Sequence, residues 1–215
     1  MPMNSIGHSE KLLVMRIFIA ALVLIFSLQS WTKADDISEF EIEGISIGDS
    51  LLDYFNKNEI ENEKYSKYSF WYKNNKYVAI GAGGGSPLDK KLDNYDDLSI
   101  VLKQDDNTYK IYSVGGRIFC ENINTCKTKK NEIVKELKLF FDDEVSTYSD
   151  DSNHVADPTG NSKAYSVFFN FKKNKYSYVE VSVYDWSKEM DYPDNLKVVI
   201  YSEEFGKFIE NEAYE

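Results

Sequence analysis

Hydrophobic residues recur along this chain with two periods, and period two dominates. Leu98, Ile100 and Leu102 alternate with polar neighbours, as do Tyr165, Val167, Phe169 and Phe171. Val179, Val181 and Val183 follow the same rule, and "NLKVVIY" (195–201) reads as a further strand. Alternation of this kind sorts side chains onto the two faces of a half-buried strand. "KYSFWYK" and "KYVAIGA", separated by an Asn-Asn pair, predict a hairpin. "TYKIYSV" runs on into "GGRIFC", with a bulge expected at Gly115–Gly116.

The helical period appears three times. In "KKNEIVKELKLFF" (129–141), Ile133, Leu137, Phe140 and Phe141 fall on one helical face. After Ser202, Glu203 and Glu204 occupy a favourable first turn, and Phe205, Phe208 and Ile209 face inward. Near the start, Ser50 and Asp53 form a capping pattern ahead of Leu51, Leu52 and Phe55, and the helix is expected to fade in "NKNEIENEK" (56–64). The stretch 142–163 is polar and acidic and reads as a long loop.

Together these elements predict an α+β fold. About seven antiparallel strands in two helix–hairpin halves, 35–127 and 128–215, are packed on one face by two or three helices. "FWYKNNKY" (70–77) echoes "FNFKKNKY" (169–176), which fits either a duplication or shared turn chemistry.

Targeting changes the picture at the N-terminus. Arg16, the apolar run Ile17–Phe26 and small residues at Thr32 and Ala34 have the layout of a secretory signal peptide spanning 1–34, with Met15 an alternative start. No later run is apolar and long enough to span a bilayer. The expected location is therefore periplasmic or extracellular. Removing Lys11, Arg16, Lys33 and Glu10 leaves 22 basic and 35 acidic residues, a net charge of −13. So acidic a chain is repelled by nucleic acid, which excludes that partner class. Cys120 and Cys126 form an even pair in an exported chain and read as a disulfide.

Candidate chemistry is sparse. "GISIG" (44–48) has the spacing of a nucleophile elbow around Ser46, but His154 is the one histidine past the leader and lies in the polar loop. A turn entering a helix accounts for the same residues, and a serine hydrolase is the remote alternative. "IGAGGGSP" (80–87) follows a strand yet lacks the Lys and Ser/Thr of a phosphate loop. Asp150, Asp151, Asn153 and Asp157 offer hard oxygen ligands, so calcium binding is an alternative to a solvated loop. Tyr178, Tyr184 and Trp186 share strand parity opposite the valines; they form either a second core face or a binding surface. No cofactor motif is present.

"FEIEGISIGDSLLDYF" (40–55), behind a cleaved leader and ahead of Lys/Tyr-rich hairpins, resembles uncharacterised exported proteins of AT-rich marine bacteria. At fold level the helix-then-hairpin units are similar to small lipoproteins of outer-membrane assembly and to tandem-repeat β-lactamase inhibitor proteins. The lipidated Cys of the former is missing here. The resemblance carries no activity with it; the residues themselves lead to the expectation of a non-enzymatic envelope protein, a binding module for an envelope protein or a cell-wall polymer, with a small-ligand or calcium-binding periplasmic protein as the alternative.

Overall fold

A computed structural model describes Ile37, residues 40–88 and residues 90–213, which fall within one compact unit. The leader expected at 1–34 lies outside the described residues. Two short strands, β1 (Glu41–Ile42) and β2 (Ile45–Ser46), pair as a small hairpin. A 3-10 turn, Leu51–Asp53, and helix α1 (Lys57–Lys64) follow. Then come β3 (Phe70–Trp71), β4 (Tyr77–Gly83), β5 (Asp97–Lys103) and β6 (Ile111–Phe119). Helix α2 (Ile123–Phe141) leads to β7 (Val145–Asn153), β8 (Lys163–Phe171), β9 (Tyr178–Asp185) and β10 (Asn195–Tyr201), and α3 (Glu203–Asn211) closes the order.

Strands β3 to β10 form one antiparallel sheet in the order β3-β4-β5-β6-β10-β9-β8-β7. Two four-stranded meanders, each preceded by a helix, thus meet at the β6–β10 pair. The boundary expected at 127–128 falls inside α2. The sequence echo does not follow this symmetry: 70–77 spans the β3–β4 turn, whereas 169–176 leaves β8 towards β9. The two turns also differ in backbone conformation: Asn74 and Asn75 take positive φ (59° and 51°), as in a tight hairpin turn, whereas no residue of 169–176 does.

Register assigns the two faces. Ile80, Ile100, Val114, Ile200, Val179 and Phe169 are successive partners across the sheet, so the alternating aliphatics share one face. Helix α2 lies on this face across β9 and β10. Its Phe141 packs 5.6 Å from Phe169 and 5.1 Å from Phe171, and Phe40 of the N-terminal segment stacks 4.7 Å from Phe141. The opposite face is covered by a helix at one end. There Phe205 and Phe208 of α3 pack 5.0 and 4.8 Å from Tyr77, in a cluster with Val101 and Tyr112. The fold is thus α+β as expected, an antiparallel sheet with helices packed against it, α2 on the aliphatic face and α3 on the other.

Three local readings are corrected. Gly115 and Gly116 pair in register within β6, and the ladder shifts instead at Val101/Leu102. The glycines answer a packing need: a Cβ on Gly116 would lie 2.3 Å from the Tyr95 ring. The helix expected from Ser50 is a single 3-10 turn, and α1 forms where fading was expected. Asn56 accepts from the Glu59 N–H while Glu59 accepts from the Asn56 N–H, a reciprocal cap. The polar stretch 142–163 contains β7, nine residues paired along their whole length with β8.

Candidate functional site

Away from α3, the second face of the sheet carries polar side chains in one cross-strand row. Gly83, Asp97, Arg117, Lys197, Ser182, Ser166 and Asp150 are successive register partners from β4 to β7. Strand alternation produces this row, because from β4 to β8 each member adjoins a residue of opposite parity buried on the aliphatic face, and Asp150 is placed by its pairing with Ser166. Beside the row runs a groove of about 400 Å³, in the size range of small-ligand sites. Its floor holds Gly81, Ser99, Arg117, Asn195 and Lys197. Tyr68 and Phe70 flank one end, and Phe119, Tyr184, Trp186 and Tyr192 the other.

The rim is unusually apolar for a surface. Of the nine large hydrophobics exposed among the described residues, four border this groove: Tyr68, Phe70, Phe119 and Tyr192. Scattered exposed hydrophobics need no explanation, whereas a cluster around a concavity marks a contact surface.

The floor charges are unequally satisfied. Arg117 grips Asp97 through two bonds, Nε to Oδ1 and a terminal nitrogen to Oδ2, both 2.7 Å. Glu180, one row further along, accepts from Ser182 at 2.5 Å, Tyr201 at 3.1 Å and Tyr184 at 3.4 Å. Lys197 makes no hydrogen bond or ion pair among the described residues. Burial pushes its ammonium below the ordinary lysine range; Glu180 opposes that shift and Arg117 adds to it. Asn195 is 4% exposed, and its Nδ2 donates to Pro193 O at 3.1 Å. Its Oδ1 is buried with no partner among the described residues.

Behind the wall stands a brace that sequence reasoning missed. His154 lies 4.3 Å from the Trp186 ring and 5.0 Å from Tyr184. Its Nδ1 accepts the Ala156 N–H at 3.2 Å, so Nε2 carries the proton of the neutral ring. Burial, then the Lys197 charge, holds its pKa below the usual histidine value. The loop carrying His154 is fixed by Asp157. One of its oxygens accepts from Ser162 N, Ser162 Oγ and Ser187 Oγ, and the other from Thr159 N and Oγ1. These bonds, the Ser162 hydroxyl foremost, hold its carboxyl far below the usual range. Because Ser187 follows Trp186, Asp157 ties the β7–β8 loop to the groove wall.

Of the three aromatic residues singled out by parity, Tyr184 and Trp186 reach the groove. Tyr178 instead stacks 4.3 Å from Tyr201, at the end covered by α3. The four candidate calcium ligands are spread out. Asp150 and Asp151 point to opposite faces of β7, Asn153 accepts from Lys163, and Asp157 is engaged as described. Among the described residues no three His, Cys, Asp or Glu side chains are placed to hold a metal ion. Ser46 is buried in β2, and the Gly83–Gly85 loop leads to Pro87 and irregular chain rather than to a helix N-terminus. Cys120 and Cys126 are bonded, pinning the end of β6, and with it Phe119, to α2.

Arg117, Asn195, Lys197, Phe70, Phe119 and Tyr192 were not legible as a site. Two signals were present. Lys197 interrupts an otherwise apolar strand at the polar parity, and Arg117 is one of only two arginines in the chain. Compared with known proteins, the chain matches no family model, no curated protein and no solved structure.

Proposed function

We propose that this protein is an exported, non-enzymatic binding module whose recognition surface is the aromatic groove on the second face of the sheet. The observation that carries this reading is the clustering of four exposed aromatic side chains around a concave floor whose Lys197 and Asn195 Oδ1 lack partners among the described residues. Aromatic and arginine side chains around a desolvated centre are the chemistry of recognition. The leader-like N-terminus and the Cys120–Cys126 disulfide support export. No helix among the described residues is long and apolar enough to cross a membrane. A cell-wall polymer or an envelope protein is the expected partner.

The test is a thermal-shift panel of wall fragments, saccharides and peptides on the protein and on Phe70→Ser and Tyr192→Ser. These two side chains are 60% and 57% exposed, so the fold tolerates their loss. A ligand at about 100 times its dissociation constant stabilises by about 2.7 kcal/mol, a rise of several degrees. A hit abolished by both substitutions is expected. A hit indifferent to them, or one that is chemically turned over, defeats the reading, and a flat panel on folded protein counts against it.

A further inference from the structure

The groove floor also specifies what kind of ligand would fit, an inference that rests on the groove being the recognition surface. Its cation touches no carboxylate among the described residues, and Glu180 and Asp97 act on it only through space. Arg117 and Asp97 satisfy each other, and Glu180 already accepts three hydroxyl donors. Lys197 therefore remains as a half-buried ammonium without a counter-ion in contact among the described residues, in a chain whose net charge is −11. A single ammonium suits a monoanion such as carboxylate; a phosphate dianion calls for several converging donors. Asn195 Oδ1 sets a second requirement. A buried acceptor in a native site finds a donor from water or a ligand, and a hydroxyl group supplies one.

The walls decide between two classes of molecule that carry both groups. An extended peptide on a sheet normally gains affinity by pairing its backbone with a free strand edge. Here the floor strands β5, β6, β10 and β9 are each paired on both sides, and the edge of β4 beyond Ala79 is taken by the following loop, with Ser86 Oγ donating to Gly81 O and Gly83 N to Leu88 O. A peptide lying across them would leave its own N–H and C=O groups unpaired over aromatic rings, at roughly 1–3 kcal/mol each. A sugar ring has no such groups. It offers apolar C–H faces to the aromatic rings, with hydroxyls at its periphery for the floor and for water.

We propose that the groove binds a carboxylated saccharide of the uronic-acid class, with the carboxylate on Lys197, a ring hydroxyl donating to Asn195 Oδ1 and the C–H faces against the aromatic walls formed by Phe70, Trp186 and Tyr192.

The test is isothermal titration calorimetry on the whole protein with galacturonate, mannuronate and glucuronate trisaccharides, a neutral galactose trisaccharide and an acidic pentapeptide. At least one uronate is expected to bind at least tenfold more tightly than the neutral sugar. Lys197→Gln should erase that difference, and Tyr192→Ser, which leaves the floor intact, should weaken both sugars. Equal binding of neutral and acidic sugars overturns the assignment while leaving the groove reading in place. Preferential binding of the peptide, abolished by Tyr192→Ser, does the same. No uronate binding also overturns it. If any ligand binds with full affinity to both Tyr192→Ser and Lys197→Gln, the groove reading fails as well. Should Lys197→Gln not fold, Lys197→Arg reports instead: it keeps the charge and must keep the preference for uronate over neutral sugar.

Discussion

Two buried polar side chains behave differently, and the contrast separates function from fold. Asn195 Oδ1 lacks a partner at the groove floor, where a ligand can supply one. Glu63 lacks one where the groove's lining residues do not include it: its side chain on α1 is fully buried, and both carboxylate oxygens are without a hydrogen bond among the described residues. It sits against β4, with Oε1 3.6 Å from where a Cβ on Gly81 would lie. An unsatisfied buried acceptor is destabilising, whereas an apolar group of similar shape in its place is neutral or better. Glu63→Met is therefore expected to raise unfolding stability by about 1–3 kcal/mol, measured by urea denaturation. A loss of stability would show that Glu63 has a partner contributed from elsewhere. In the sequence Glu63 looks like any solvated glutamate, since "NKNEIENEK" offers one apolar residue and no periodicity. Its burial follows from where β4 lies, which no local pattern encodes.

At the scale of elements, legibility tracked burial. Strands β5, β8, β9 and β10 have apolar residues at every second position because one face packs on α2 and the N-terminal segment, and their bounds follow the alternation. Strand β7 was missed because it is an edge: every residue after Val145 is exposed, so the β8 ladder alone holds it and hydrophobicity leaves no trace. Helix α3 was readable from Ser202, whose side chain accepts from Phe205 N, but its glycine was not. Gly206→Ala should stabilise a helix by up to about 1 kcal/mol from propensity. Here a Cβ would fall 1.9 Å from the Tyr176 carbonyl oxygen, a backbone atom that cannot turn aside. The clash wins, and a net loss of about 1–3 kcal/mol is expected in urea denaturation. Unchanged stability would mean that α3 shifts without resistance. The disulfide belongs to the same scale. It spans a sequence separation of 6, so loop closure accounts for about 2 kcal/mol. Replacing both cysteines by serine should lower stability by about that amount. It should also speed hydrogen exchange in the first turn of α2, while the β4–β5 ladder keeps its protection.

For the whole molecule, the imbalance of charge governs how carboxylates are satisfied. With 36 acidic and 25 basic residues, cations are too few to pair each carboxylate, and tyrosine hydroxyls take part of the task. Tyr54 donates to Asp49 at 2.6 Å, Tyr77 to Glu204 at 3.0 Å, Tyr109 to Glu61 at 2.7 Å and Tyr201 to Glu180 at 3.1 Å. Burial, reinforced by the neighbouring carboxylate, raises all four hydroxyl pKa values, with Tyr109 pushed up to about 12. A tyrosine in the unfolded chain ionises near pH 10. Each raised pKa means that the folded state favours the neutral hydroxyl. The resulting stability is complete below about pH 10 and is lost as pH climbs from there through the folded values. Three of the four pairs join residues far apart in sequence, tying α1 and α3 to the first meander and β10 to β9, so their ionisation is not a local event. Unfolding free energy measured by denaturant titration should stay flat from neutral pH to about pH 10, then fall steeply towards pH 12. Tyrosinate absorbance of the native protein should lag behind that of the urea-unfolded chain over the same interval. Tyr109→Phe removes one donor. It should lose roughly 1–3 kcal/mol at neutral pH, and its deficit relative to the parent should shrink between about pH 10 and about pH 12. A native titration superimposing on the unfolded one would show that the hydroxyls are open to solvent and that the carboxylates are satisfied by water instead.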